Sequence, residues 1–107
     1  MLVRIVQMTF RPDALDAFLE SFDASSPKIR AQPGCEHLEL LHDARYPNVC
    51  TTYSHWTGDD ALQAYRESAL FQRTWATVKP LFAARPRAQS YHVARSAASI
   101  EEAQEAA

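Results

Sequence analysis

The chain has 107 residues, 47% of them apolar, and a formal net charge of −2, which suits one globular domain with its own core. No basic run or basic face stands out, so neither nucleic acid nor an anionic membrane surface is an expected partner. No apolar stretch is long enough to cross a bilayer and Met1-Leu2-Val3-Arg4 does not open a signal peptide, so a cytoplasmic setting with reduced thiols is expected.

Leu2 to Phe10 reads as a strand rich in β-branched residues. Val3 and Ile5 fall on one face; Val6, Met8 and Phe10 fall on the other. Both faces are apolar, which a sheet open to water on one side does not need. Pro12 opens a helix, with Asp13 near the positive end of its dipole. Leu15, Phe18, Leu19 and Phe22 form its apolar stripe. Ser25-Ser26-Pro27 is expected to break or kink it, with a further turn carrying Ile29 inward.

Gln32-Pro33-Gly34 then turns the chain into a hairpin. Its strands are Cys35 to Leu41 and Val49 to Trp56, joined by a turn through Asp43 to Asn48. The hairpin holds three of the four histidines, both cysteines and one of the two tryptophans. Thr57-Gly58-Asp59-Asp60 starts a short helix with Ala61, Leu62 and Tyr65 on its inner face. Ser68 can cap the next helix, whose stripe is Phe71, Trp75, Val78 and Phe82. Pro80 should end its regular part near residue 79. Arg87 to Arg95 reads as a fourth strand. From Ser96 the chain is Ala, Ser, Glu and Gln, expected to be disordered or a short helix capped by Ser99 with Glu102. The domain is thus placed at residues 1–95 and a tail at 96–107.

The order β-α-β-β-α-α-β is the ferredoxin-like split βαβ pattern of the α+β class, with its second helix in two pieces. Its four-stranded antiparallel sheet carries the helices on one face. The other face is assigned Val3, Ile5, Leu38, Leu40, Val49 and Tyr53, too apolar for water. Two chains are therefore expected to pack sheet to sheet as a homodimer.

Lys28-Ile29-Arg30-Ala31-Gln32-Pro33-Gly34-Cys35, then Leu38-Glu39-Leu40-Leu41 and Asp43, resembles the middle of antibiotic biosynthesis monooxygenase domains. Tyr53-Ser54-His55-Trp56, Ala61-Leu62, Tyr65 and Ser68-Ala69-Leu70-Phe71 continue the likeness, which spans about residues 2 to 93. The resemblance implies a dimeric α+β barrel with a cavity in each chain between sheet and helices. The family includes cofactor-independent oxygenases of aromatic polyketides and haem-degrading enzymes. Many members have a carboxylate where this chain has Ser54, and a histidine where it has Tyr65, so mechanisms resting on those groups do not transfer. The haem-degrading branch has its iron-binding histidine where this chain has Trp75 and a strand asparagine where it has Val6. Haem degradation is accordingly not expected.

The chemistry depends on the hairpin register. With residue 42 opposite residue 49, Cys35, His37, Glu39 and Leu41 share a face with Trp56, Ser54, Thr52 and Cys50. That register holds the two sulfurs roughly 20 Å apart, so no disulfide is expected. The face would look toward the helices and meet Tyr65 and Trp75, with Arg4 joining from the first strand. The outcome is an aromatic chamber for a flat small molecule. His37 is the candidate base and Glu39 its orienting partner; Arg4, Ser54, Trp56, Tyr65 and Trp75 are candidate substrate contacts. Arg4 can alternatively pair with Glu39. His37 and Glu39 lack a third ligand at a convincing spacing, so no metal and no cofactor are expected. The expected function is a small cofactor-independent monooxygenase acting on an aromatic or quinone-like compound. The alternative is a non-catalytic dimeric barrel that binds a small molecule or serves in assembly.

Overall fold

The computed structural model describes residues 1–97. The expected tail lies almost wholly outside the described residues. The strands are β1 (Leu2–Thr9), β2 (Cys35–His42), β3 (Val49–Trp56) and β4 (Arg87–His92). The helices are α1 (Leu15–Arg30), α2 (Asp59–Arg66) and α3 (Ala69–Val78). Short 3₁₀ turns at Pro12–Ala14 and Lys79–Leu81 precede α1 and follow α3. The four strands form one antiparallel sheet in the order β2-β3-β1-β4, the ferredoxin-like arrangement expected from the element order. No described helix is long and apolar enough to cross a membrane.

Local chemistry explains most boundaries. The Ser68 hydroxyl accepts the Phe71 N–H at 3.1 Å and so caps α3. Pro80 cannot extend the helix, and the chain tightens into a 3₁₀ turn from Lys79. Gly34 stands at φ +83, a left-handed conformation that reverses the chain between α1 and β2. Pro27 does not break α1: the helix is continuous through it from Leu15 to Arg30. The cost is the lost hydrogen bond to the Asp23 carbonyl, and Asp23 is exposed, so water can satisfy that oxygen. Just before it, Ser25 Oγ donates to the Ser21 carbonyl at 2.9 Å.

The hairpin departs from expectation in one residue. Cys35 does pair with Trp56, but His37 then pairs with His55, Leu38 with Ser54, and His42 with Cys50. Glu36 is the extra residue of a β-bulge. Beyond it, every β2 side chain changes face relative to the expected register. Burial explains why. The bulge turns Leu38 and Leu40 inward against the two apolar clusters and leaves His37 and Glu39 on the outer face. Without it, an imidazole and a carboxylate would occupy the core in place of two leucines, a costly exchange.

The inner sheet face therefore presents Arg4, Val6 and Met8 of β1, Leu38 and Leu40 of β2, and Thr52, Ser54 and Trp56 of β3. One core cluster joins Met8, Phe10, Phe18, Cys50 and Val78; the other joins Leu2, Cys35, Trp56 and Leu62. The outer face carries Val3, Ile5, Val49 and Tyr53, as expected, together with His37, His55 and Glu39. Leu38 and Leu40 do not belong to it. Leu41 and Tyr91, also on this face, are each 45% exposed. Both cysteines are free and buried, and burial raises both thiol pKa values.

Candidate functional site

A cavity of about 350 Å³ opens between the inner sheet face and the three helices. Its floor is Arg4, Val6, Thr52, Ser54 and Trp56. Phe22 of α1, Leu62, Tyr65 and Arg66 of α2, and Phe71 and Trp75 of α3 form the walls. The size falls at the lower end of the range for small-molecule sites, about 300–1,000 Å³, and the lining is mostly apolar with a few polar groups.

A ladder of rings builds most of that wall. Trp56 stacks on Tyr65 with centroids 5.2 Å apart. Tyr65 meets Phe71 edge-on at 5.3 Å, and Phe71 stacks on Trp75 at 6.0 Å. Helical spacing brings the α3 rings to one side, while β3 fixes Trp56 from below. Such contacts favour offset and edge-to-face geometry and hold flat side chains in fixed orientations.

The polar groups are held as firmly. Ser54 is 6% exposed, yet its hydroxyl is satisfied: it accepts Trp56 Nε1–H at 3.0 Å and donates to the Arg4 carbonyl at 3.4 Å. Ser54 thus locks the Trp56 indole and β1 together. Arg4 donates to Ser90 Oγ on β4 at 3.0 Å, which steadies its guanidinium beside the cavity. Burial lowers the Arg4 pKa, and the positive charge of Arg66 lowers it further. Burial, with a smaller contribution from Cys35, pushes the Tyr65 phenol up to about 12. At neutral pH Tyr65 therefore keeps its proton and can act as a hydrogen-bond donor.

The structure brings five of the seven candidate residues together: Arg4, Ser54, Trp56, Tyr65 and Trp75 all line the cavity. His37 and Glu39 do not. The bulge at Glu36 turns both onto the outer face, where His37 Nε2 lies 3.1 Å from Glu39 Oε1. The pairing of Arg4 with Glu39 fails for the same reason. On the outer face His37 packs beside Tyr53 and His55, with ring centroids 6.0 and 5.1 Å away. Sequence reasoning missed Arg66. It follows Tyr65 and lies four residues after Leu62, so the α2 stripe already pointed to it.

Fold and cavity together define a ferredoxin-like α+β domain that can enclose a small, flat molecule. Residues 1–77 match the antibiotic biosynthesis monooxygenase family, and the chain belongs to it. Solved structures agree on the fold. An antibiotic biosynthesis monooxygenase superposes with a TM-score of 0.84 at 21% identity, covering 89% of this chain and 100% of its own. Rv0793 from Mycobacterium tuberculosis gives 0.82 at 23% identity, covering 91% and 98%. PA3566 from Pseudomonas aeruginosa gives 0.76 at 22% identity, covering 87% and 94%. No curated protein sequence matches the chain at a significant level.

Proposed function

We propose that the protein is a small cofactor-independent monooxygenase acting on an aromatic or quinone-like compound bound in this cavity. The observation that carries the reading is the ring ladder Trp56–Tyr65–Phe71–Trp75 around a cavity of about 350 Å³. Family membership supports the reaction class. The substrate supplies the electrons: its ionised ring carbon, which keeps one hydrogen, attacks oxygen, forming a C–O bond and a peroxide anion that takes a proton from solvent to become a hydroperoxide. Loss of water from the hydroperoxide leaves a carbonyl. One oxygen atom enters the product and the other leaves as water, so no external reductant is needed. Tyr65 donates a hydrogen bond to the substrate oxygen. The apolar wall that includes Trp56 and Trp75 keeps water from the intermediate.

Oxygen uptake with a panel of hydroquinones and anthrones tests this directly. Turnover is expected for at least one compound, with Tyr65→Phe lowering kcat about tenfold or more, as for a lost hydrogen-bond donor to a developing oxyanion. No uptake across the panel would remove the enzymatic reading. It would leave the second one, a binding module, which is favoured by a single observation: among the described residues, no histidine, aspartate or glutamate lines the cavity.

We also propose that two chains pair through their outer sheet faces. Val3, Ile5, Val49 and Tyr53 supply the apolar centre, with Leu41 and Tyr91 exposed in the single chain. His55 Nε2 is buried there without a hydrogen-bond partner among the described residues. Sedimentation should show a dimer for the wild type and a folded monomer for the double substitution Leu41→Glu, Tyr91→Glu. A dimer that survives both charges contradicts the pairing.

A further inference from the structure

We propose that the occupant of this cavity is an organic anion, held through its charged oxygen between Arg4 and Arg66. The proposal rests on the reading of the cavity as the substrate site and narrows the class of substrate. Both guanidiniums line the cavity. Among the described residues, no aspartate or glutamate shares that lining. Among the described residues, neither arginine has a carboxylate within ion-pair distance; the pairs that form are Arg11 with Asp13 and His37 with Glu39. The bulge at Glu36 removes the carboxylate that would otherwise have reached Arg4.

The two positive charges lie close enough that Arg66 disfavours the charged form of Arg4, which burial already disfavours. Two like charges beside an apolar cavity cost free energy until an anion sits between them. Tyr65, protonated at neutral pH, adds a third donor. The Ser54 hydroxyl is already engaged on both sides, accepting Trp56 Nε1–H and donating to the Arg4 carbonyl, so the charged hold on a ligand falls to the arginines. The two charged groups facing the ligand are both pure donors, and arginine suits planar carboxylates and enolates by its fork geometry. Among the described residues no histidine or carboxylate stands in the lining, so they offer the cavity no ordinary base. The ligand therefore enters already ionised, and the arginines select for that form.

Two chemistries share this anionic oxygen: a carboxylate set back from the ring, and an ionised enol that is itself the reacting group. Isothermal titration calorimetry separates them with two matched pairs. The first is naphthoate against naphthamide; the second is hydroxynaphthoquinone, an enolate at neutral pH, against its methyl ether. At least one anion should bind about tenfold or more tightly than its neutral partner, equivalent to about 1.4 kcal/mol. That preference should shrink in Arg4→Met and in Arg66→Gln, and should weaken as salt is raised. Arg66 is exposed at the end of α2, so its substitution leaves the fold intact even if the Arg4 variant proves unstable. Equal binding within both pairs overturns the anion proposal while the aromatic cavity stands. Binding by none of the four compounds overturns both. A preference that survives both substitutions also overturns it, because the charge is then read elsewhere.

Discussion

Truncating Trp56 to alanine is expected to remove about 3–5 kcal/mol of stability, the range for large buried aromatics. Trp56 is 1% exposed and sits at the meeting point of β3, α2 and the second core cluster. Its loss leaves a void against Leu2, Cys35 and Leu62 and unlocks the Ser54 hydroxyl. A domain of this size holds only about 5–15 kcal/mol in total, so the variant stands near the edge of folding. Urea unfolding followed by far-ultraviolet circular dichroism should show the midpoint falling by about 2 M with little change in slope. Trp75→Ala is the informative contrast. Trp75 is half-buried because one side already faces the cavity, so its truncation creates less new void and should cost less. If Trp75→Ala proves the more damaging, the two indoles have been assigned to the wrong environments.

Replacing Gly34 by valine is expected to cost about 2–5 kcal/mol, from two sources that act at once. The left-handed φ of +83 disfavours any L side chain by about 1–2 kcal/mol, and a β-branched one most. A Cβ there would also stand 2.5 Å from Ala61 Cβ and 2.7 Å from Thr57 Oγ1. Neither neighbour can retreat easily, since the Thr57 N–H donates to the Gly34 carbonyl at 2.9 Å and Ala61 belongs to α2. Overpacking of this kind adds about 1–3 kcal/mol. Thermal unfolding should shift down by about 10 °C or more. Gly58→Ala serves as the control. Its φ of 178 is ordinary extended backbone and its Cβ would meet nothing within 4 Å, so the loss should stay within about 1 kcal/mol. A tolerant Gly34 would mean that the α1–β2 turn can relax in a way the packing at Ala61 forbids.

Elements governed by local chemistry were legible in the chain. Ser68 announced the start of α3 and Pro80 its end, and the strands followed from β-branched runs between turn residues. Pro27 misled, because the penalty of a helical proline depends on whether water can reach the carbonyl it strands. That exposure belongs to the folded surface and not to the local sequence. The hairpin register misled for a related reason. Cys35 to Leu41 admits two pairings, and the bulge at Glu36 is decided by which of Leu38–Leu40 and His37–Glu39 the helices will cover. A global comparison of burial settled it, and one residue of slip was enough to exchange the faces of two candidate residues. The five candidates on β1, β3 and the helices kept their places, since they lie outside the slipped strand.

The positions of the two tryptophans have a practical consequence. The chain contains only these two indoles, and both line the cavity. The indole part of the protein's ultraviolet emission, excited selectively at wavelengths where tyrosine does not absorb, therefore arises entirely beside the cavity. A bound quinone, being an efficient electron acceptor within contact of an excited indole, would extinguish it without any added label. If the cavity takes such a compound, the chain carries its own optical gauge of occupancy.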